Sequence, residues 1–129
     1  MNPLILVDSS FFIRFSQLRE DAFASFDLYS DVDFAINGLV WVEVLRGRSV
    51  PTHRQRYDQR FSTMHFLNLT PRTWQHAAAL AWELDRHGDV IPATDIAIAA
   101  CALDHGAAVL TFDRHFNKVP GLTVLNDLP

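Results

Sequence analysis

The chain has 129 residues, 49% hydrophobic and 20% charged, with 5 Gly and 6 Pro. That composition excludes disorder, collagen and coiled coil, and the length suits one domain over residues 1–129 that buries roughly two thirds of its unfolded surface. The formal net charge of −4 is unevenly spread: residues 46–72 carry Arg46, Arg48, Arg54, Arg56, Arg60 and Arg72 against Asp58 alone, a balance of +5, and the rest carries −9.

An arginine strip on an acidic body suits a polyanion held beside a metal-loaded pocket, or else a solvated helix face with its countercharge elsewhere. The single Cys101 rules out a disulfide framework and a thiolate zinc cage within one chain. The longest apolar run, Ile96 to Leu103, is far short of the roughly 20 residues a membrane helix needs. The first eight residues have no basic leader and meet an acid at Asp8. The expectation is a soluble cytoplasmic protein with no membrane attachment.

In chain order, Leu4-Ile5-Leu6-Val7 is a continuous apolar run, the pattern of a strand buried on both faces. A serine of Ser9-Ser10 is placed to cap a helix opening at Phe11. Residues 20–29 read as a second short helix and Phe34-Ala35-Ile36 as a second strand. Asn37 caps a helix over 38–46 that Gly47 ends. Residues 53–63 read as helix and 65–69 as a third strand. Thr70-Pro71 is a strong helix start; Trp74, Ala77, Ala78, Ala81 and Leu84 recur at spacings of 3 or 4, and Gly88 closes the element. A further helix begins near Thr94-Asp95 and runs to Asp104 before Gly106. Residues 108–112 and 122–125 supply two last strands. Strands alternating with helices predict an α/β fold, a three-layer α/β/α sandwich on a mostly parallel central sheet. In such sheets function gathers beyond the carboxyl ends of the strands.

Four of the fifteen acids stand where acids are unexpected. Asp8 and Asp113 directly follow buried strands. Glu43 lies inside Leu39-Val40-Trp41-Val42-Glu43-Val44-Leu45, and Asp95 opens an apolar helix. Each has a plain alternative: a turn or helix cap for Asp8, a helix-dipole partner for Asp95, a turn former for Asp113, an Arg salt bridge for Glu43. If they converge, they cannot all stay ionised unaided, because two carboxylates about 4 Å apart repel by about 4 kcal/mol at an effective dielectric near 20. Protons or hard divalent cations must then compensate, and an all-oxygen set selects Mg²⁺ or Mn²⁺ over zinc. Asp104, nine residues after Asp95, faces the opposite side of that helix and reads as a solvated acid.

Taken in order, Leu6-Val7-Asp8-Ser9-Ser10, Val42-Glu43-Val44-Leu45-Arg46-Gly47, the run from Ala93 to Ala100 with Leu103 and His105-Gly106, and Val109-Leu110-Thr111-Phe112-Asp113-Arg114-His115-Phe116 resemble the PIN domain. Within that family they resemble most the VapC-type toxin ribonucleases of type II toxin–antitoxin pairs. The resemblance covers essentially the whole chain and is least diagnostic over 48–72. It implies a homodimer, a small VapB-like antitoxin whose tail covers the active site, and a metal-dependent endoribonuclease in which Asp8, Glu43, Asp95 and Asp113 are catalytic and metal-binding residues for Mg²⁺ or Mn²⁺. The expected reaction is hydrolysis of an RNA phosphodiester to a 5′ phosphate and a 3′ hydroxyl.

Ser9 and Thr111, close in sequence to these acids, are candidates to orient them, with a helix cap and a strand hydrogen bond as the plain alternatives. Arg46, Arg48, Arg54 and Arg56 are candidates to hold RNA phosphates. The six histidines show no paired metal-ligand spacing, so none is assigned to the site. Phe11, Phe12, Phe15, Phe23 and Phe26 read as core or as a dimer or antitoxin interface, with base stacking as the alternative. Two other readings remain: a housekeeping PIN-type nuclease that trims RNA without an antitoxin, and a non-catalytic RNA-binding PIN module. An aspartyl phosphotransfer protein and a Rossmann domain are disfavoured, because no second Asp stands two residues after Asp8 and no Gly-rich turn follows the first strand.

Overall fold

The computed structural model describes residues 1–129. The elements run β1 (Leu4–Val7), α1 (Ser9–Gln17), α2 (Ala22–Phe26), β2 (Asp33–Ile36), α3 (Gly38–Arg46), α4 (Pro51–Phe61), β3 (His65–Phe66), α5 (Pro71–Arg86), α6 (Ala93–His105) and β4 (Ala108–Leu110). A 3₁₀ helix (Arg114–Lys118) and β5 (Val124–Leu125) follow. The five strands form one sheet in the order β3-β2-β1-β4-β5, and every neighbouring pair is parallel. The sheet expected to be mostly parallel is therefore wholly so.

The strand order fixes where the site falls. The chain steps outward from β1 to β2 and β3, then crosses back to the other side of β1 to lay down β4 and β5. Right-handed crossovers put the helices of the two halves on opposite faces. Accordingly α1 packs on α2 and α3, and α3 on α4, while α5 and α6 pack on each other. The order reverses between β1 and β4, and in open α/β sheets a crevice forms at the carboxyl ends of the strands flanking such a reversal.

The core is continuous through the sheet, with Leu6, Val7, Ala35, Ile36, Val109 and Leu110 in the strands and Val40, Val44, Ile98 and Ala99 in the helices. Under α1, α2 and α4 it is aromatic. Phe12 has ring centroids at 5.7 Å from Phe23, 5.9 Å from Phe26 and 5.0 Å from Phe61. Phe11, Phe12, Phe23 and Phe26 are all buried. Their role within this chain is packing, and they have no exposed face on which a base could stack.

Several boundaries differ from the sequence reading for identifiable reasons. Asp8, not a serine, is the N-cap of α1, and the helix begins at Ser9. The second helix shrinks to Ala22–Phe26 because Asp21 caps it. The fourth starts at Pro51, a residue suited to a first helical position. The predicted strand over 65–69 pairs regularly only at His65–Phe66; one further bond, Leu67 N to the Ile36 carbonyl at 2.9 Å, ends it. The strand predicted over 108–112 stops at Leu110. Thr111 N still donates to the Leu125 carbonyl, but Phe112 N turns to the Ser10 hydroxyl and Asp113 N to the Thr111 hydroxyl. Side chains beside the site thus capture the donors that a longer strand would use.

Candidate metal centre

Asp8 leaves β1 at its carboxyl end and is 3% exposed. Its backbone N–H still pairs across the sheet with the Leu110 carbonyl at 2.9 Å, so the strand ladder itself fixes its position. One carboxylate oxygen, Oδ2, is heavily engaged: it accepts from Ser10 Oγ at 2.8 Å, from Thr111 Oγ1 at 2.9 Å and from Ser10 N at 3.4 Å. The two hydroxyls also lie 3.0 Å from each other. Two hydroxyl protons therefore serve three contacts, and Oδ1 takes none of these bonds. The hydroxyl beside Thr111 on Asp8 is Ser10's; Ser9 is buried at the first position of α1 and its side chain makes no hydrogen bond.

Asp95 lies in the first turn of α6. That helix runs antiparallel to the strand it leads into, so its amino end stands at the carboxyl edge of the sheet beside β4. Asp113 follows β4 by three residues and caps the 3₁₀ helix by accepting from His115 N at 2.9 Å. Glu43 comes from the middle of α3, on the β2 side. Elements on both sides of the reversal in strand order thus aim carboxylates at one edge.

The electrostatics tie the four together. Burial pushes the Glu43 carboxyl above its ordinary range, and the charges of Asp8 and Asp95 push it further, against a smaller opposing effect of Arg46. Burial also raises Asp95; the His115 hydrogen bond opposes this, and the charges of Asp113 and Asp8 add to it. Glu43 makes no salt bridge, and its Oε1 is buried without a hydrogen-bond partner. An orphaned buried carboxylate oxygen among other carboxylates is the arrangement expected of a ligand to a cation. The donor set fits a hard divalent ion. The three atoms Asp95 and Asp113 oxygen and His115 nitrogen all lie within 4.8 Å of one another.

His115 is the residue that sequence reasoning missed. Its Nδ1 stands 2.9 Å from Asp95 Oδ2 and 3.1 Å from Asp113 Oδ1. The signal was its place two residues after Asp113. A search for histidine pairs could not find it, because its partners are carboxylates. Asp104, set aside as solvated, is indeed exposed at the far end of α6 and pairs with His76 at 2.8 Å.

The arginines divide into two sets. Arg56 pairs with Asp21, and Arg60 with Asp27 at 2.7 Å, so both tie α4 to the α2 segment. Burial works against ionisation of Asp21, yet the Arg56 bond, together with backbone donors, holds it below the ordinary carboxylate range. Arg48 donates to Ser16 Oγ at 2.6 Å and lies over the Tyr57 ring. Two of the six arginines of the strip thus have their countercharge at the ends of α2, as the plainer reading of the strip had it. Arg46 and Arg54 are exposed and enter no ion pair.

A hollow of about 400 Å³, lined by Pro3, Leu4, Ala108 and neighbours, opens at the amino ends of β1 and β4, away from the acids. The acidic edge is an open cup rather than an enclosed small-molecule pocket, with the Asp95 and Asp113 side chains 14% and 33% exposed.

With this geometry in view, the family is settled by the sequence itself: the PIN domain profile matches residues 5–122, and the chain belongs to the PIN domain family. Its fold is similar to that of VapBC2 from Rickettsia felis bound to a DNA fragment from their promoter (TM-score 0.79, 19% identity, covering 94% of this chain and 96% of that one). It is similar also to DNA-bound VapBC from Salmonella typhimurium (TM-score 0.78, 22% identity, 96% and 97%) and to a toxin–antitoxin complex from Klebsiella pneumoniae (TM-score 0.73, 23% identity, 92% and 95%). No curated protein matches the sequence. No helix is long and apolar enough to cross a membrane.

Proposed function

We propose that this chain is a divalent-metal-dependent endoribonuclease of the VapC toxin type. The observation that carries the reading is the meeting of Asp8, Glu43, Asp95 and Asp113 at one sheet edge, where burial, and then mutual repulsion, raises Glu43 and Asp95. Membership of the PIN domain family supports it, as does the likeness in fold to VapBC complexes.

Asp8, Glu43, Asp95 and Asp113 would hold Mg²⁺ or Mn²⁺, Glu43 directly or through a water, and Asp8 has the oxygen that its hydroxyl neighbours leave free. When bound, such ions supply a water of lowered pKa and neutralise charge building on the phosphoryl oxygens. Ser10 and Thr111 keep the Asp8 carboxylate in one orientation. Glu43 would take a proton from the attacking water as that water's oxygen bonds to phosphorus in line. The bond from phosphorus to the 3′ oxygen breaks, and that oxygen is protonated from solvent, leaving a 5′ phosphate and a 3′ hydroxyl. Arg46 and Arg54 contact phosphates flanking the cut, whereas Arg48 and Arg56 reach RNA only by leaving their internal partners. The open cup suits single-stranded or looped RNA, whose backbone can be splayed for in-line attack. The partner is a small VapB-like antitoxin, and the toxin acts as a homodimer.

The test is cleavage of labelled RNA by purified protein with Mg²⁺ or Mn²⁺ and with chelator, alongside induced expression in cells. Metal-dependent cleavage and growth arrest are expected, both lost in Asp8→Asn. Cleavage indifferent to chelator would remove the metal, and cleavage without growth arrest would replace the toxin by a housekeeping nuclease.

A further inference from the structure

The carboxylates are expected to bind metal through oxygen alone, yet the tightest part of the cup is not all oxygen. Asp113 accepts from the backbone N–H of His115, and this turn folds the imidazole back over the acids. One ring nitrogen, Nδ1, then faces oxygens from two separate elements, at 2.9 Å from Asp95 and 3.1 Å from Asp113. Donors on adjacent corners of an octahedron with bonds of about 2.0–2.1 Å stand about 2.9 Å apart. With a proton on Nδ1 this spacing is a hydrogen bond, as at Asp95; with the lone pair there instead, it is also that of one edge of a coordination sphere repeated twice around a shared nitrogen. The ring is 42% exposed, so the Nδ1 proton has a path to solvent, and the Nε2–H tautomer presents the Nδ1 lone pair without moving the ring.

We propose that His115 Nδ1 is a metal ligand beside Asp95 and Asp113, and that it makes this a mixed nitrogen–oxygen centre that prefers Mn²⁺ or a later first-row divalent ion to Mg²⁺. Imidazole is a softer donor than carboxylate or water, and its presence favours transition ions along the series from manganese onward. The inference rests on the divalent-metal reading of the cup and adds the identity of one ligand and the class of ion.

Mn²⁺ alone, added to the purified full chain, is the probe. Pulsed electron paramagnetic resonance is expected to show coupling from a ¹⁴N nucleus to the bound ion. His115→Gln is expected to lose that coupling and to weaken Mn²⁺ binding about tenfold or more, with a smaller loss for Mg²⁺. His115→Asp restores an oxygen donor, so it is expected to bind metal without nitrogen coupling and with the preference moved toward Mg²⁺; it also serves if the glutamine variant fails to fold. Mn²⁺ bound to the folded wild-type chain with no nitrogen coupling overturns the assignment and leaves the metal centre standing. A folded wild-type chain that binds no Mn²⁺ overturns the metal centre as well.

Discussion

Asp8 shows how one side chain serves the fold and the site together. Its Oδ2 caps α1 and receives two hydroxyls, which removes the rotational freedom a lone carboxylate would have. Groups that orient a metal ligand typically change metal affinity or activity by about 10–100-fold when lost. Thr111→Val, which keeps the shape and deletes the hydroxyl, is therefore expected to lower cleavage by about that factor. Ser10→Ala should do the same, and Ser9→Ala should leave the rate within about twofold, since Ser9 donates to nothing. Initial rates of the three variants decide it, and a Ser9→Ala loss equal to that of Ser10→Ala contradicts the arrangement. Thr111 was legible from its place beside a candidate ligand. Choosing between Ser9 and Ser10 was not, because the choice depends on which residue of the first helical turn faces β4, and that is set by packing.

At the scale of elements, the ends of α3, α5 and α6 were readable because their chemistry is local. Asn37 Oδ1 accepts from Val40 N at 3.0 Å, as the cap expected at that position should. Thr70 and Thr73 bond reciprocally at the start of α5. Gly106 ends α6 with φ at +65°, and a Cβ there would meet nothing within 4 Å. Gly106→Ala is expected to destabilise by about 1–2 kcal/mol through backbone strain alone. Asn37→Ala, which removes a cap at a fully buried residue, should cost about 0.5–2 kcal/mol. Denaturant midpoints of both variants test this, and an unchanged midpoint for Gly106→Ala removes the strain argument. The strand ends were less legible. Whether β4 continues past Leu110 depends on side chains of α1, remote in sequence, that compete for its backbone donors.

For the molecule as a whole, the cup gathers buried and mutually repelling acids, whose charge a bound divalent ion would offset. Glu43 and Asp95 hold protons more tightly in the folded chain than their ordinary values, so without metal the folded state loses stability as pH rises through those raised values and regains it as pH falls. Glu43→Gln removes one of the mutually repelling charges. With chelator at neutral pH it is expected to raise stability by about 0.5–2 kcal/mol, toward the low end because Glu43 is partly solvated. The gap to wild type should close on acidification, while cleavage is lost throughout. Thermal unfolding of both proteins with chelator across pH measures this; a variant less stable than wild type at neutral pH would mean that Glu43 serves the fold. The convergence of four acids was legible from the four taken together and in order, because a cap or helix-end role accounts for Asp8, Asp95 and Asp113 singly. The sharing of the cup with a histidine was not, since it depends on how the 3₁₀ helix folds back after β4.

The crossing-back of the chain after β3 has a temporal consequence. The strands flanking the reversal are separated by most of the polypeptide, and the last acid arrives at residue 113 of 129. A chain emerging from the ribosome, amino end first, can assemble the β1–β2–β3 half early but holds only part of the cup until β4 has paired with β1. On the ribonuclease reading proposed above, an unfinished copy would thus be harmless to the RNA around it.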